Sequence, residues 1–218
     1  MCGRYALYGP IKRTPEHDRW FDELEAFGPR YNIAPTQASP VTRWVDGRPV
    51  LAALRWGLIP FWAKDPAIGN RLLNARAETV PGKPAFRAAY RARRCLVPAS
   101  GFYEWRKVPR GKQPYYITGV GGALLAFAGL WEQWQPPGAE ATQSFTIITT
   151  DANATMKGIH DRMPVILAPE HYEAWFTARD PRELMRPCPP DVLTAYPVST
   201  AVNSPRNDAP ALVEPLPV

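Results

Sequence analysis

Strand-like segments follow one another in runs along this chain instead of alternating with helices. "CLVPASGFYEW", "QPYYITG", "GALLAFAGLWEQW" and "SFTIITTDA" come in succession, broken only by "KVPRGK" and "QPPGAEAT". Strands joined by short turns pair with their neighbours in the antiparallel sense. That favours an α+β arrangement over a doubly wound sheet, and such a run curls into a barrel-like core. The 26 prolines do not gather into a linker; they punctuate the strands, as in "IAPTQ", "LIPFW", "LVPAS" and "RMPVI".

Local signals place the remaining elements. Residues 2–8 read as a strand. Thr14-Pro15-Glu16 offers an N-cap, a proline at the first helical position and an acidic first turn. Trp20, Phe21, Leu24 and Phe27 follow at helical spacing, so the sequence predicts a helix that ends at Gly28. Asp46-Gly47 between two apolar runs marks a hairpin. "KPAFRAAYRARR" reads as a short basic helix, further short helices are expected over 153–158, 169–177 and 181–186, and "LTAYPVS" is a last strand. No composition shift divides the chain, which predicts one domain over 1–218 with a Pro-rich tail from about residue 209.

With 45% hydrophobic residues and eight Trp, nine Tyr and eight Phe, 218 residues suffice for a packed core and do not suit disorder. No run of about 18 apolar residues is present, and no apolar segment behind a basic one opens the chain, so neither a membrane span nor a secretory signal is expected. Cys2, Cys95 and Cys188 are odd in number and lack CxxC spacing, which argues against a disulfide framework and against a zinc site. A reducing, cytoplasmic setting with free thiols is expected. The formal charge of +6 suits a polyanionic partner without proving one.

The opening "MCGRYALYG" carries the most pointed chemistry. Loss of Met1 would leave Cys2 with an α-amine and a thiol on adjacent carbons. An α-amine is roughly 10–15% free base at pH 7, against about 0.04% for a lysine. An amine adds to an aldehyde to give an imine, and a neighbouring thiolate closes it to a thiazolidine, which resists hydrolysis. Arg4 lies two residues on, on the same side of an extended strand, where its charge is expected to favour thiolate and free amine. The plain alternative is a merely small residue near a start codon, acting as a small hydrophobe.

Three further stretches set polar residues among apolar ones. "LLNARAET" carries Asn74, Arg76 and Glu78; "SGFYEW" carries Glu104 between Tyr103 and Trp105; "GIHDRMP" carries His160, Asp161 and Arg162. A carboxylate between aromatics is a candidate for a raised pKa and two-way proton transfer. His160, in a polar turn, is the best candidate among the three histidines for a group titrating near neutrality. Against these stand a strand carboxylate facing solvent or an arginine, and a turn histidine with satisfied hydrogen bonds.

Taken together, "MCGRY", "RYNIAPTQ", "RWGLIPFWAKD", "NARAET", "CLVPASGFYEW", "PYYI", "AFAGLWE", "FTIITTDAN", "IHDRMPVIL" and "VNSPRNDAPAL" resemble the SRAP (SOS-response-associated peptidase) family, in its order and nearly end to end. The resemblance implies a single SRAP-type domain of antiparallel strands with peripheral helices. It also implies a reaction: Cys2, freed of Met1, attacks a ring-opened abasic deoxyribose in single-stranded DNA and leaves a thiazolidine cross-link. The matching catalytic group is Cys2, Asn74, Glu104 and His160. Glu104 is expected to shuttle protons, His160 to serve later transfers, and Asn74 to orient the sugar or the N-terminal residue.

Arg4 and Arg76 match positions facing phosphates, Pro35 and Trp62 match positions packing on bases, and Trp105 and Arg162 are further DNA-binding candidates. A core tryptophan is the plainer reading of Trp62. Arg87, Arg91, Arg93 and Arg94 fit a solvated helix face better than a DNA path. The loops at 106–113 and 135–143 look the most variable. No metal or organic cofactor, no membrane and a monomer are expected, with action at the nucleoid. Two other functions fit the same residues: a cysteine-type peptidase acting on its own Met1 bond, and a non-covalent single-strand-binding module. A lyase side activity follows if ring closure fails.

Overall fold

The computed structural model describes residues 2–10 and 14–217, apart from the side chain of Glu16. The expected loss of Met1 and the acidic side chain of Glu16 therefore lie outside the described residues. The strands in chain order are β1 (Tyr5–Leu7), β2 (Arg30–Ile33), β3 (Ala38–Val45), β4 (Arg48–Trp56), β5 (Asn74–Arg76), β6 (Arg94–Ala99), β7 (Gly101–Val108), β8 (Gly111–Gly119), β9 (Leu125–Trp134), β10 (Thr142–Asp151), β11 (Arg162–Pro164), β12 (Ile166–Leu167) and β13 (Leu193–Pro197). Four short α-helices accompany them: α1 (Pro15–Trp20), α2 (Arg87–Ala92), α3 (Ala154–Lys157) and α4 (Tyr172–Thr177).

β10 closes a barrel. β3 pairs with β4 and with β6, β6 with β9, β9 with β10, and β10 returns to β4 through a short parallel contact at Ser144 and Arg55. Closure removes the open edges that an eight- or ten-residue strand would otherwise present. The β3–β4 turn is the hairpin expected at Asp46-Gly47. Both residues have positive φ, 49° and 76°, as a two-residue hairpin loop requires, which is why Asp-Gly stands there. The interior is filled by Val41, Leu54, Trp56, Val97, Phe127, Phe145 and Ile147, all buried. Tyr5 reaches in from β1, edge-on to Trp56 at 5.2 Å and to Phe127 at 6.2 Å.

A second sheet, ordered β13-β8-β7-β1-β2, leans on the barrel and has its own apolar layer of Tyr103, Tyr116, Val198, Val202 and Leu212. Leu212 belongs to the tail. Residues Pro210–Val213 form a 3-10 turn whose Val213 carbonyl accepts a hydrogen bond from the Tyr196 hydroxyl at 2.9 Å, so this part of the tail packs against the sheet.

One expected element is shorter than the pattern suggests. The Thr14 cap is present: its hydroxyl accepts the His17 amide and the His17 ring nitrogen accepts the Thr14 amide. But α1 stops at Trp20. Glu23 takes a left-handed φ of 61°, its amide bonded to the Asp22 carboxylate at 3.0 Å, and only a 3-10 turn over Leu24–Phe27 follows. Trp20, Phe21 and Leu24 are buried as the spacing implies, whereas Phe27 is exposed. The stripe is satisfied by tertiary stacking instead of helix continuity: Trp20 lies parallel to Phe176 of α4 at 5.4 Å and stacked on Trp44 of β3.

Candidate functional site

Cys2, just ahead of β1, is fully buried where the second sheet meets the barrel. Pairing of Tyr5 with Phe102 and Ala6 with Gly101 carries the start of the chain along β7, toward Glu104. Parallel pairing of Asn74 with Ile147 fixes β5 against β10. There the Asn74 side-chain amide donates to the Cys2 carbonyl oxygen at 2.9 Å. The same amide's Oδ1 is buried with no hydrogen-bond partner among the described residues. Glu104 is 3% exposed, and its Oε2 accepts the Trp105 amide at 3.3 Å. Its charge acts on the Cys2 thiol. Three of the four expected catalytic residues thus come together, from the segment ahead of β1, from β5 and from β7, which are distant in sequence.

Electrostatics at Cys2 overturn one expectation. Burial, first, and the Glu104 carboxylate, second, push the thiol far above its ordinary value, so it is held protonated. Arg4 does not counteract this. Its guanidinium donates to Asn32 Oδ1 at 2.9 Å, to the Val202 carbonyl at 2.8 Å and to the Asn203 carbonyl at 3.2 Å. Those are fixed dipoles of the strap formed by residues 202–208, which Asn32 also holds by donating to the carbonyls of Val202, Ser204 and Asn207. Among the described residues no carboxylate pairs with Arg4, so its charge stays uncompensated.

His160 sits between α3 and β11, partly exposed. Its Nδ1 accepts the Arg162 amide at 3.0 Å and lies 2.8 Å from Asp161 Oδ1. The first contact uses a lone pair on Nδ1 and the second a proton there, so the two exclude one another and need different placements of the ring proton. His160 lines an open cleft of about 950 Å³ shared with Trp105, which follows Glu104 directly. Trp105 donates its indole N–H to Asn203 Oδ1 at 2.8 Å, tying the ring to the strap.

The expected DNA contacts divide. Arg76 is exposed on β5, two residues from Asn74 and so on its side of the strand. Pro35 is half-buried in the turn between β2 and β3. Trp62 is 48% exposed, which removes the core reading, and its neighbour Phe61, not singled out from sequence, is 57% exposed. Arg162 is different. Its side chain is only 11% exposed, and it donates to both Glu78 carboxylate oxygens at 2.6 and 3.0 Å, to Asp151 at 2.7 Å and to the Thr149 carbonyl at 2.7 Å. Two acids neutralise it, so in this conformation it offers no free charge to a phosphate. Of the basic cluster, Arg93, just past α2, pairs with Glu132 and Arg94, which opens β6, is buried over Trp175, leaving Arg87 and Arg91 exposed.

Sequence reasoning missed Phe61, Asn32 and Asn203. Phe61 was legible as the other aromatic in "PFW"; the two asparagines carry no local signal. No group of three metal-ligating side chains, and no helix long and apolar enough to cross a membrane, occurs among the described residues.

A five-stranded barrel with a leaning sheet and a buried cysteine at the chain's start defines the class to which similar proteins belong. A crystal structure of a protein from Bacteroides thetaiotaomicron superposes with a TM-score of 0.85 at 29% identity, covering 99% of this chain and 100% of that one. A phage-related protein from Bordetella bronchiseptica superposes at 0.67 with 36% identity, covering 90% and 94%. The family model "SOS response associated peptidase (SRAP)" matches residues 1–205, and the chain belongs to that family. Among its relatives are abasic site processing protein YoqW of Bacillus subtilis, 44% identical over 98% of this chain and 99% of its own, and abasic site processing protein HMCES of Xenopus tropicalis, 36% identical over 96% and 77%.

Proposed function

We propose that this protein recognises abasic sites in single-stranded DNA and captures them covalently through Cys2 once Met1 has been removed. The relatives named abasic site processing proteins support the substrate class. The observation that carries the reading is the convergence of Asn74 and Glu104 on Cys2, with His160 on the adjoining cleft.

Nitrogen attacks first, because only its adduct can lose water to the imine that the thiol then closes. The Cys2 amine, its extra proton passed to Glu104, adds to C1′ of the open-chain sugar. The carbinolamine loses water to an imine, with His160 supplying the proton that the departing hydroxyl takes. The Cys2 thiol then adds to the imine carbon: the S–C bond forms, and the thiol proton ends on nitrogen. Aldehyde and aminothiol give thiazolidine and one water, with no oxidant, metal or cofactor needed. Asn74 holds the Cys2 carbonyl so that nitrogen and sulfur face the same carbon, and ring closure makes the product resist hydrolysis. The adduct shields the lesion; β-elimination from an unclosed imine is the expected side reaction.

A peptidase using Cys2 as nucleophile needs a lowered thiol pKa, and burial here moves it the other way. That favours aldehyde capture over turnover of unrelated peptides. Intact-mass measurement after incubation with an abasic oligonucleotide tests the proposal. The expected adduct has the mass of the chain lacking Met1 plus the oligonucleotide less one water, and it is absent for Cys2→Ala. An adduct on the chain that retains Met1, or an equal yield with Cys2→Ala, rejects it.

A further inference from the structure

The β7–β8 hairpin projects a tip that the proposed chemistry leaves unused. Its register sets Lys107 directly opposite Lys112. Like charges facing each other across an antiparallel ladder destabilise the sheet. Beside them, the Arg106 guanidinium lies 4.7 Å over the Tyr115 ring, which orders it along the hairpin. Lys157, at the end of α3, stands on the same open cleft. Among the described residues none of these four cations has an ion-pair partner. The cleft's two acids are occupied: Asp151 by Arg162, and Asp161 at the ring nitrogen of His160.

We propose that this cleft carries the single strand flanking the lesion on the His160 side, with Lys107, Lys112 and Lys157 on its phosphates and Trp105 against a base. The inference rests on the abasic-DNA reading and adds where one flank of the strand runs. Several unpaired cations along a groove with one fixed aromatic face is what a single strand needs. A phosphate between Lys107 and Lys112 also relieves their repulsion, which explains a pair that otherwise only costs stability. The cleft is linked to the proposed chemistry through His160, which lines it.

The test compares the full chain with a Lys107→Ala/Lys112→Ala variant, whose fold loses a repulsion and no ion pair. Cross-linking is timed on abasic oligonucleotides extended only 5′ of the lesion, only 3′, or trimmed to a trimer. Non-covalent binding of an intact single strand is measured as a function of salt in a Cys2→Ala background. The expected result is a roughly tenfold slower reaction with one polarity of extension, no such defect on the trimer, and a salt slope shallower by about 1.4 for two phosphates lost. Equal rates on all three substrates with an unchanged slope overturn the cleft assignment, as does an equal slowing on all three. A parent chain that forms no adduct sinks the abasic-DNA reading instead, while the salt slope still decides the cleft.

Discussion

The Asn74 side-chain amide donates to the Cys2 carbonyl oxygen at 2.9 Å, tying the start of the chain to a strand that is itself paired in parallel with β10 of the barrel. The reacting residue is therefore anchored to the most constrained part of the fold, although it is nearly the first in the sequence. A single neutral hydrogen bond of this kind is worth about 0.5–1.5 kcal/mol.

Asn74→Ala is accordingly expected to slow single-turnover capture by about 2- to 12-fold and to move the melting temperature little. Asn74→Asp, which sets a carboxylate against the Cys2 carbonyl, should be slower still. A cross-linking time course beside a thermal melt reads both, and wild-type rates for both variants would remove Asn74 from the positioning of Cys2.

All three thiols are buried and shifted upward: Cys188 to about 11, chiefly by burial, and Cys2 and Cys95 well above the ordinary range. A thiol-specific reagent at pH 8 should therefore titrate almost none of them in the native chain that retains Met1, and all three in denaturant. The sign of the linkage is fixed. Stability from a raised thiol is complete below its unfolded value, about 8.5–9, and is lost as pH rises through the folded one. Denaturant midpoints should fall from about pH 9 upward, all three thiols contributing from the same onset and Cys188 ceasing to add to the fall above about pH 11. Rapid native labelling of Cys2 at pH 8 in that chain would contradict the burial argument.

Arg162 can meet a phosphate only by releasing an acid. The Arg162 hydrogen bond, first among the causes, holds the Glu78 carboxyl below its ordinary value. This pair contributes stability above about pH 4.5, and the contribution is lost as pH falls through the lowered value. Glu78→Gln should lower the melting temperature at pH 7, with the difference vanishing in acid. It should also tighten single-strand binding by leaving Arg162 less neutralised. Because Glu78 and Asp151 are largely exposed, the stability cost is small, about 1 kcal/mol. Unchanged binding by Glu78→Gln would leave Arg162 a structural residue.

Phe61 and Trp62 are exposed, and removing either should cost stability less than about 0.5 kcal/mol. If Trp62 stacks on a base, Trp62→Ala weakens single-strand binding by about 1–3 kcal/mol, roughly 5- to 150-fold. Fluorescence-anisotropy titration beside a melt separates the two, and a variant that melts lower but binds normally would return Trp62 to a packing role.

Gly57 permits the loop that carries those aromatics. Its φ is +112°, and a Cβ there would stand 2.6 Å from the Gly69 carbonyl oxygen. Neither backbone can yield cheaply, so Gly57→Ala should cost about 1–3 kcal/mol and lower the melting temperature by roughly 2–10 °C. A melt that matches the parent would show that the loop relaxes freely.

Much of the fold was written locally. Asp46-Gly47 fixed a hairpin because few residues accept two successive positive φ values. The four runs between residues 94 and 151 became five strands, β6 to β10 in order: "CLVPASGFYEW" breaks at Ser100, its first half joining the barrel and its second half the leaning sheet. The long helix ending at Gly28 misled because spacing alone cannot tell a continuous helix from a helix and a 3-10 turn that present the same buried faces. Cys2, Asn74 and Glu104 were legible as candidates by residue type and resemblance; their meeting was not.

Sequence by itself determined the strand segments, their turns and the reactive residue types, since these depend on dihedral preferences and on chemistry carried by single side chains. Only tertiary structure decided the closure of β10 onto β4, the burial that keeps the Cys2 thiol protonated, and the sharing of Arg162 between Glu78 and Asp151. Those are properties of groups brought together across long stretches of chain. Desolvation and Coulomb terms depend on distance in space, which local pattern does not encode.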